Sequence, residues 1–186
     1  MKFRPPSLTV RHNPSEYWKK NLDKAVKAHN ERHAFVLGDI YADRDDRDLS
    51  GVDLSSKNLE GADFRGANLS GANLTESYLY GANLQGANLT GANLAFSNLS
   101  RATMREVNLT GADMERTNLF RADLGGADLN GASLVGADLR FANLNGADLS
   151  GANLGGADLR NATTFHAIMT GADLSGATMP DGTKHA

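Results

Sequence analysis

Residues 81–99 read GANLQGANLTGANLAFSNL, in which a leucine recurs every five residues. The same spacing runs from residue 49 to residue 179 without an insertion and makes 27 repeats, of which 21 are centred on Leu. Helices repeat every 3.6 residues and flat strands every 2, so neither element accommodates this period. Alanine stands two positions before the centre in 20 repeats, and the residue between them is mostly Asp or Asn. We therefore predict three extended residues, with Ala and Leu inside, followed by a two-residue corner.

A second period, of twenty residues, is visible at the corners. The residue two positions after the centre is Gly in every fourth repeat, and a small polar residue precedes it. These glycines are Gly51, Gly71, Gly91, Gly111, Gly131, Gly151 and Gly171. A residue thus resembles the one twenty positions later, which predicts four repeats per turn and a four-sided coil. Coils stacked about 4.8 Å apart would bury the leucines that a single coil leaves exposed.

The motif A(D/N)LxG, repeated over residues 47–181, resembles that of the pentapeptide repeat family. The resemblance implies an all-β fold, a right-handed quadrilateral parallel β-helix. It also implies a protein that acts through its surface and without catalysis. Some members of this family protect or inhibit type II topoisomerases by resembling duplex DNA.

The chain before the repeats has a different composition. Residues 1–38 carry 8 Lys and Arg against 3 acidic residues, whereas residues 47–181 carry 9 against 15. Ser15 is a candidate cap for a helix that reaches about His33, with Trp18, Leu22 and Val26 on its apolar face. We expect residues 1–46 to form an N-terminal helical cap that covers the first coil. A basic arm that docks onto a partner is the alternative.

The other end of the repeats has less sequence to cover it. Residues 182–186 form a short polar tail, too small to cover the apolar side chains of the last coil. Those side chains are Met169, Leu174 and Met179. We therefore expect end-to-end homodimerisation through this coil, with a frayed or solvated last coil as the alternative.

One side of the predicted coil is rich in aromatic and arginine side chains. The twenty-residue register places Arg101 above Arg121 and beside Phe141, a composition typical of protein interfaces. The whole candidate docking set is Tyr80, Phe96, Arg101, Arg116, Phe120, Arg121, Arg140, Phe141 and Arg160. The alternative is that these rings and guanidinium groups stack on each other only for stability.

Catalytic and metal sites are not indicated. The absence of cysteine excludes disulfides and thiolate ligands. His29 and His33 are spaced one helical turn apart but have no evident third ligand, and residues 43–48 (DRDDRD) lack the Gly and Glu of a calcium loop. The many Asp residues recur on every side of the coil and do not converge in a cleft. We expect no enzymatic activity, no metal and no cofactor.

The class of partner follows from charge and from apolar runs. No run is long enough to cross a membrane, and residues 1–10 lack the apolar core of a signal peptide, so we expect a cytoplasmic protein. The acidic repeats disfavour direct binding of nucleic acid. The sequence favours a non-catalytic scaffold that binds an unknown protein. The alternatives are a DNA-mimicking modulator of DNA gyrase and a structural spacer without a specific partner.

Overall fold

The computed structural model describes residues 48–186, and the predicted cap over residues 1–46 lies outside them. Within this range the chain forms a repeat β-solenoid and contains no helix. Every parallel bridge joins a residue to the one twenty positions later, as between Asp48 and Asn68. The predicted twenty-residue turn is therefore confirmed. None of the described residues belongs to a helix long and apolar enough to cross a membrane.

Each coil has four sides, and each side contributes a single bridged residue flanked by turns. The bridges align in four ladders, which we number as faces in chain order. Face 1 runs from Asp48 to Ile168, face 2 from Asp53 to Asp173, face 3 from Asn58 to Thr178, and face 4 from Asp63 to Thr163.

Leucine and alanine side chains fill the interior, as the five-residue spacing predicts. Leu94 at mid-rod is 0% exposed, and Phe64 replaces a central Leu at 1% exposure. The alanine slot is the last position of each turn, and its N–H closes the turn by donating to the carbonyl three residues back. Where Lys57 or Val107 occupies this slot, the bond from its N–H to the carbonyl three residues back lengthens to 3.4 Å, against 3.0 Å at Ala62.

Every corner from residue 51 to residue 176 bends through a left-handed residue two positions after the centre. At Gly61 φ is 66°, and the N–H of Ala62 donates to the carbonyl of Leu59 at 3.0 Å. This pairing, with a positive φ at the third turn position, is that of a type II turn. Glycine adopts this conformation without strain, which explains its frequency in the repeat.

The outward Asp or Asn of most repeats has a local structural role. Its side-chain oxygen accepts the backbone N–H two residues later, as Asn73 does from Thr75 and Asp148 does from Ser150. That N–H points away from the ladder at the start of the corner, so the side chain supplies the acceptor it needs. The carboxylates on the outside are therefore largely engaged within their own repeat.

The tail pairs with the last coil in an antiparallel manner. Thr178 is bridged to Lys184, and the N–H of Gly176 donates to the carbonyl of His185 at 3.0 Å. Ala177, whose carbonyl accepts a hydrogen bond from the N–H of His185, is 0% exposed. The side chains of Met169, Leu174 and Met179 nevertheless remain half-buried, so the tail covers only part of this end.

Candidate protein-docking surface

The four corners of the solenoid carry different residues in the same backbone conformation. Between faces 1 and 2 lies the glycine corner, which is Gly in every coil from Gly51 to Gly171. Diagonally opposite, between faces 3 and 4, lies the Arg/Phe corner, which runs Gly61, Gly81, Arg101, Arg121, Phe141, Asn161. Between faces 2 and 3 lies the Glu/Phe corner, which begins Ser56, Glu76, Phe96, Arg116 and continues with glycines.

At the Arg/Phe corner, large side chains occupy a conformation that L-residues usually avoid. The φ angles of Arg101, Arg121 and Phe141 are 59°, 58° and 61°. Each non-glycine residue there costs on the order of 1 kcal/mol relative to glycine. These side chains are therefore present despite a local free-energy cost that glycine would avoid.

Aromatic rings and guanidinium groups alternate along this side of face 3. The guanidinium carbon of Arg121 lies 5.2 Å from the ring centre of Phe120 and 5.6 Å from that of Phe141. Those two rings meet edge to face at 5.6 Å. Arg140 lies 5.6 Å from Phe120, and Arg101 lies 5.9 Å from the ring of Tyr80. The residues that the twenty-residue register groups together are therefore in contact in the structure.

The partner of each arginine depends on its slot in the repeat. Arg140 and Arg160 directly follow a central Leu, and each binds the Asp two residues before it, at 2.7 Å to Asp138 and 2.6 Å to Asp158. Arg101 lies one position further on, at the corner itself. No carboxylate within residues 48–186 lies within ion-pair distance of Arg101, and the same holds for Arg121 further along the corner.

These ion pairs also shift acid–base equilibria. The hydrogen bond from the Arg160 side chain lowers the pKa of Asp158, assisted by the charges of Arg160 and Arg140. The hydrogen bond to Asp138 raises the pKa of Arg140. The carboxylates and guanidinium groups of both pairs stay charged at neutral pH. The negative charges of Asp138 and Asp158 therefore largely cancel the positive charges of Arg140 and Arg160 at this surface.

Phe96 and Arg116 lie at the Glu/Phe corner, on the far side of face 3 from Arg121. The Arg116 guanidinium carbon lies 5.8 Å from the Phe96 ring, and its Nε lies 3.7 Å from Glu115. An open groove of about 540 Å³ runs along this corner. Its lining comprises Ser56, Glu76, Ser77, Tyr78, Phe96, Ser97, Asn98, Arg116 and Asn118. The nine candidate residues therefore form two strips that flank face 3.

The lining of this groove includes one buried hydroxyl, that of Ser97, without a hydrogen-bond partner among the described residues. Ser77 and Thr117 occupy the alanine slot, and their hydroxyls donate to the carbonyls of Leu74 and Leu94. Ser97 lies between them, and its Oγ has no hydrogen-bond partner among the described residues. The Leu94 carbonyl already accepts from Thr117 and from the Ser97 N–H, which explains why the Ser97 hydroxyl is left over.

Three exposed apolar residues were missed by the sequence reasoning. Tyr78 is 60% exposed, Phe165 is 70% exposed and Ile168 is 50% exposed. Tyr78 and Ile168 stand in the outward slot that is Asp or Asn in most repeats and Ser or Thr in a few, so a large apolar residue there is a signal visible in the sequence. Tyr78 extends the candidate surface towards the groove, whereas Phe165 and Ile168 lie on the last coil.

The chain also matches a known sequence family over almost the whole described range. The sequence model of the pentapeptide repeats, built from eight copies, matches residues 48–86, 82–121, 117–156 and 142–179. This chain belongs to the pentapeptide repeat family. No curated protein matches it closely enough to count as a relative.

Solved structures of pentapeptide repeat proteins are similar to the chain. QnrB1, a plasmid-mediated fluoroquinolone resistance protein, is 20% identical with a TM-score of 0.66, over 71% of this chain and 69% of that one. HetL of Nostoc sp. strain PCC 7120, involved in heterocyst differentiation regulation, is 30% identical with a TM-score of 0.34, over 74% and 83%. Rfr23 of Cyanothece 51142 is 28% identical with a TM-score of 0.47, over 73% and 92%. At these identities, the likeness to QnrB1 supports the solenoid fold alone.

No cluster of three or more His, Cys, Asp or Glu within residues 48–186 has the arrangement of a metal site. The outward Asp side chains are instead bound to N–H groups of their own repeats. What the arrangement can do chemically is to present rings and guanidinium groups at fixed spacing on a rigid support.

Proposed function

We propose that this pentapeptide repeat protein is a non-catalytic scaffold, which binds a partner protein along the Arg/Phe corner and the adjoining part of face 3. The contact surface consists of Tyr80, Arg101, Phe120, Arg121 and Phe141, with Arg140 and Arg160 beside them. Phe96 and Arg116 form a second strip across face 3.

The observation that carries the proposal is that arginine and phenylalanine replace glycine at three successive corners of one column. Solenoid formation does not require these side chains, because the opposite corner forms with glycine throughout. Phe141 is 47% exposed, so its packing within the chain leaves much of the ring available. Side chains held at fixed spacing lose little freedom on binding, which favours association.

Affinity capture from the native cell extract tests the proposal. We expect the wild-type protein to retain a specific partner that Arg121→Glu/Phe141→Ser fails to retain. Asn130→Glu is the matched control, since it adds a negative charge beside the glycine corner, and it should retain the partner. Equal recovery by the wild type and the double variant would count against this surface.

Modulation of DNA gyrase is the alternative function. The fold likeness to QnrB1 motivates it, but the outward carboxylates are bound within their repeats and several arginines interrupt the acidic surface. A supercoiling assay separates the two functions. A dose-dependent change in gyrase activity would favour the mimic, and no change in activity or in fluoroquinolone sensitivity would discard it.

We further propose that two copies associate through the last coil. Met169, Leu174 and Met179 are half-buried there, and the exposed rings and chains of Phe165 and Ile168 enlarge the apolar surface. Sedimentation of the full chain should show a dimer that Leu174→Lys/Ile168→Lys converts to a monomer. A wild-type monomer of 19.8 kDa at high concentration would refute self-association.

A further inference from the structure

We propose that the Arg/Phe corner receives an acidic segment of the partner protein, whose carboxylates bind the guanidinium groups of Arg101 and Arg121. The inference rests on the proposed docking function and specifies the chemistry of the partner. It depends on the different states of the arginines along face 3.

Among the four arginines at the Arg/Phe corner and the adjoining part of face 3, only Arg101 and Arg121 form no ion pair with a described residue. The coils of Arg140 and Arg160 carry Asp138 and Asp158 on face 3, and these neutralise the arginines. The coils of Arg101 and Arg121 carry Asn98 and Asn118 in the same slot instead. Consecutive coils lie about 4.8 Å apart, well inside the Debye length, so these two cations repel each other and an anion between them would remove the repulsion.

The aromatic contacts leave the hydrogen-bonding edge of each guanidinium available. Arg121 is flanked by the rings of Phe120 and Phe141, and Arg101 lies over Tyr80. Neither side chain donates a hydrogen bond to any described residue. A guanidinium oriented by ring stacking presents parallel N–H groups that match both oxygens of a carboxylate.

A short acidic peptide fits this corner better than a nucleic acid does. Residues 48–186 carry 9 Lys and Arg against 15 Asp and Glu, so an extended polyanion would meet net repulsion beyond the corner. A short segment would contact only the local cations. The half-exposed Phe141 and its neighbour Phe120 also offer apolar area that a partner's side chains can cover.

NMR titration of the full-length protein with hexaglutamate tests the inference, because it detects weak binding. The side-chain Nε–H signals of Arg101 and Arg121 should shift, and added salt should reverse the shift. Affinity should fall about tenfold in Arg101→Gln/Arg121→Gln and less than about twofold in the matched control Lys57→Gln/Lys184→Gln, which removes two positive charges outside the corner. Hexalysine should leave the signals unchanged.

Several outcomes would overturn the inference. They are no shift with hexaglutamate, equal loss of affinity in both double variants, or tighter binding of a short duplex DNA than of the peptide. Affinity capture separates this failure from failure of the docking function. If Phe141→Ser loses the partner while Arg101→Gln/Arg121→Gln keeps it, the surface docks a protein but not an acidic segment. If both keep it, the docking function fails as well.

Discussion

The glycine corner and the Arg/Phe corner are diagonally opposite columns of one solenoid, with the same backbone but different side chains. Gly91 and Gly111 have φ angles of 62° and 64°, and Arg101 and Arg121 have 59° and 58°. An added Cβ atom at Gly91 would meet nothing within 4 Å, so the first atom of a side chain has room there. The fold therefore dictates the backbone conformation of a corner but does not dictate which residue occupies it.

Glycine is the occupant that the fold prefers, since it alone adopts this conformation without strain. At the opposite corner, contacts between rings and guanidinium groups offset part of the free-energy cost of the strained backbone at the arginines and phenylalanine. Mutual stacking for stability and docking of a partner are compatible roles for these side chains. Four sets of substitutions test how far the two corners differ, beginning with the core that supports both.

The largest expected effect is the loss of a core leucine. Leu94→Ala should lower the free energy of unfolding by about 2–5 kcal/mol, because the tightly packed interior cannot collapse around the cavity. Leu174→Ala at the half-buried end should cost less. Urea unfolding measures both, and a loss under about 1 kcal/mol for Leu94→Ala would contradict its inward position.

A swap of corner residues tests the comparison directly. Gly91→Arg should destabilise by about 1–2 kcal/mol, since the strained arginine finds only glycines along its column. Arg121→Gly should change stability by less than about 1 kcal/mol, because relief of strain offsets the lost ring contacts. Equal destabilisation by the two variants in thermal unfolding would show that the corners do not differ in this way.

The alanine slot beside the Glu/Phe corner offers a smaller test. Ser97→Ala should stabilise by about 1 kcal/mol, because it removes a buried hydroxyl without a partner. Thr117→Val preserves the side-chain shape but removes a hydroxyl bonded to the Leu94 carbonyl, and should destabilise by a similar amount. If Ser97→Ala were the more damaging change, an acceptor for the Ser97 hydroxyl would have to exist.

The smallest effect at neutral pH concerns the Asp and Asn side chains of face 1, which accept a backbone N–H just before the glycine corner. We call each of these hydrogen-bonded side chains a cap. Hydrogen bonds from the Ser150 side chain and backbone lower the pKa of Asp148 below its value in the unfolded chain. The resulting stabilisation is complete above about pH 4 and is lost as pH falls through the lowered pKa. Asp148→Asn keeps the acceptor oxygen but loses the charge that these hydrogen bonds favour, so stability should fall slightly at pH 7 and become less sensitive to acid.

Asn88→Asp is the mirrored control for this cap. Asn88 accepts from the N–H and hydroxyl of Thr90 in the same geometry, so the new carboxylate should make unfolding more sensitive to acid. Acid titration followed by circular dichroism measures both variants. Identical acid midpoints for wild type, Asp148→Asn and Asn88→Asp would contradict the role of the cap.

The repeat made much of the candidate surface predictable. The twenty-residue register sufficed to place Arg101 above Arg121 and Phe141 beside them, because the bridges impose that register on every coil. It did not indicate which arginines are neutralised. That distinction depends on whether a guanidinium turns back to the Asp two residues before it, as in Arg140, or extends from a left-handed corner, as in Arg121. Tyr78 was not predicted because it is a bridged residue on face 3 and lies outside the corner columns.

The repeat period alone fixes the number of residues per turn, the inward Leu and Ala and the four corner columns, since a fixed period with one apolar side chain per repeat favours one closed core. How side chains from successive coils pair is visible only in the folded protein. Three features depend on the distances and directions between residues about twenty positions apart or at the end of the chain. They are the rings that flank Arg121, the groove beside Phe96 and the pairing of the tail with the last coil. Those contacts arise from rotamers and local space, which a one-dimensional period does not specify.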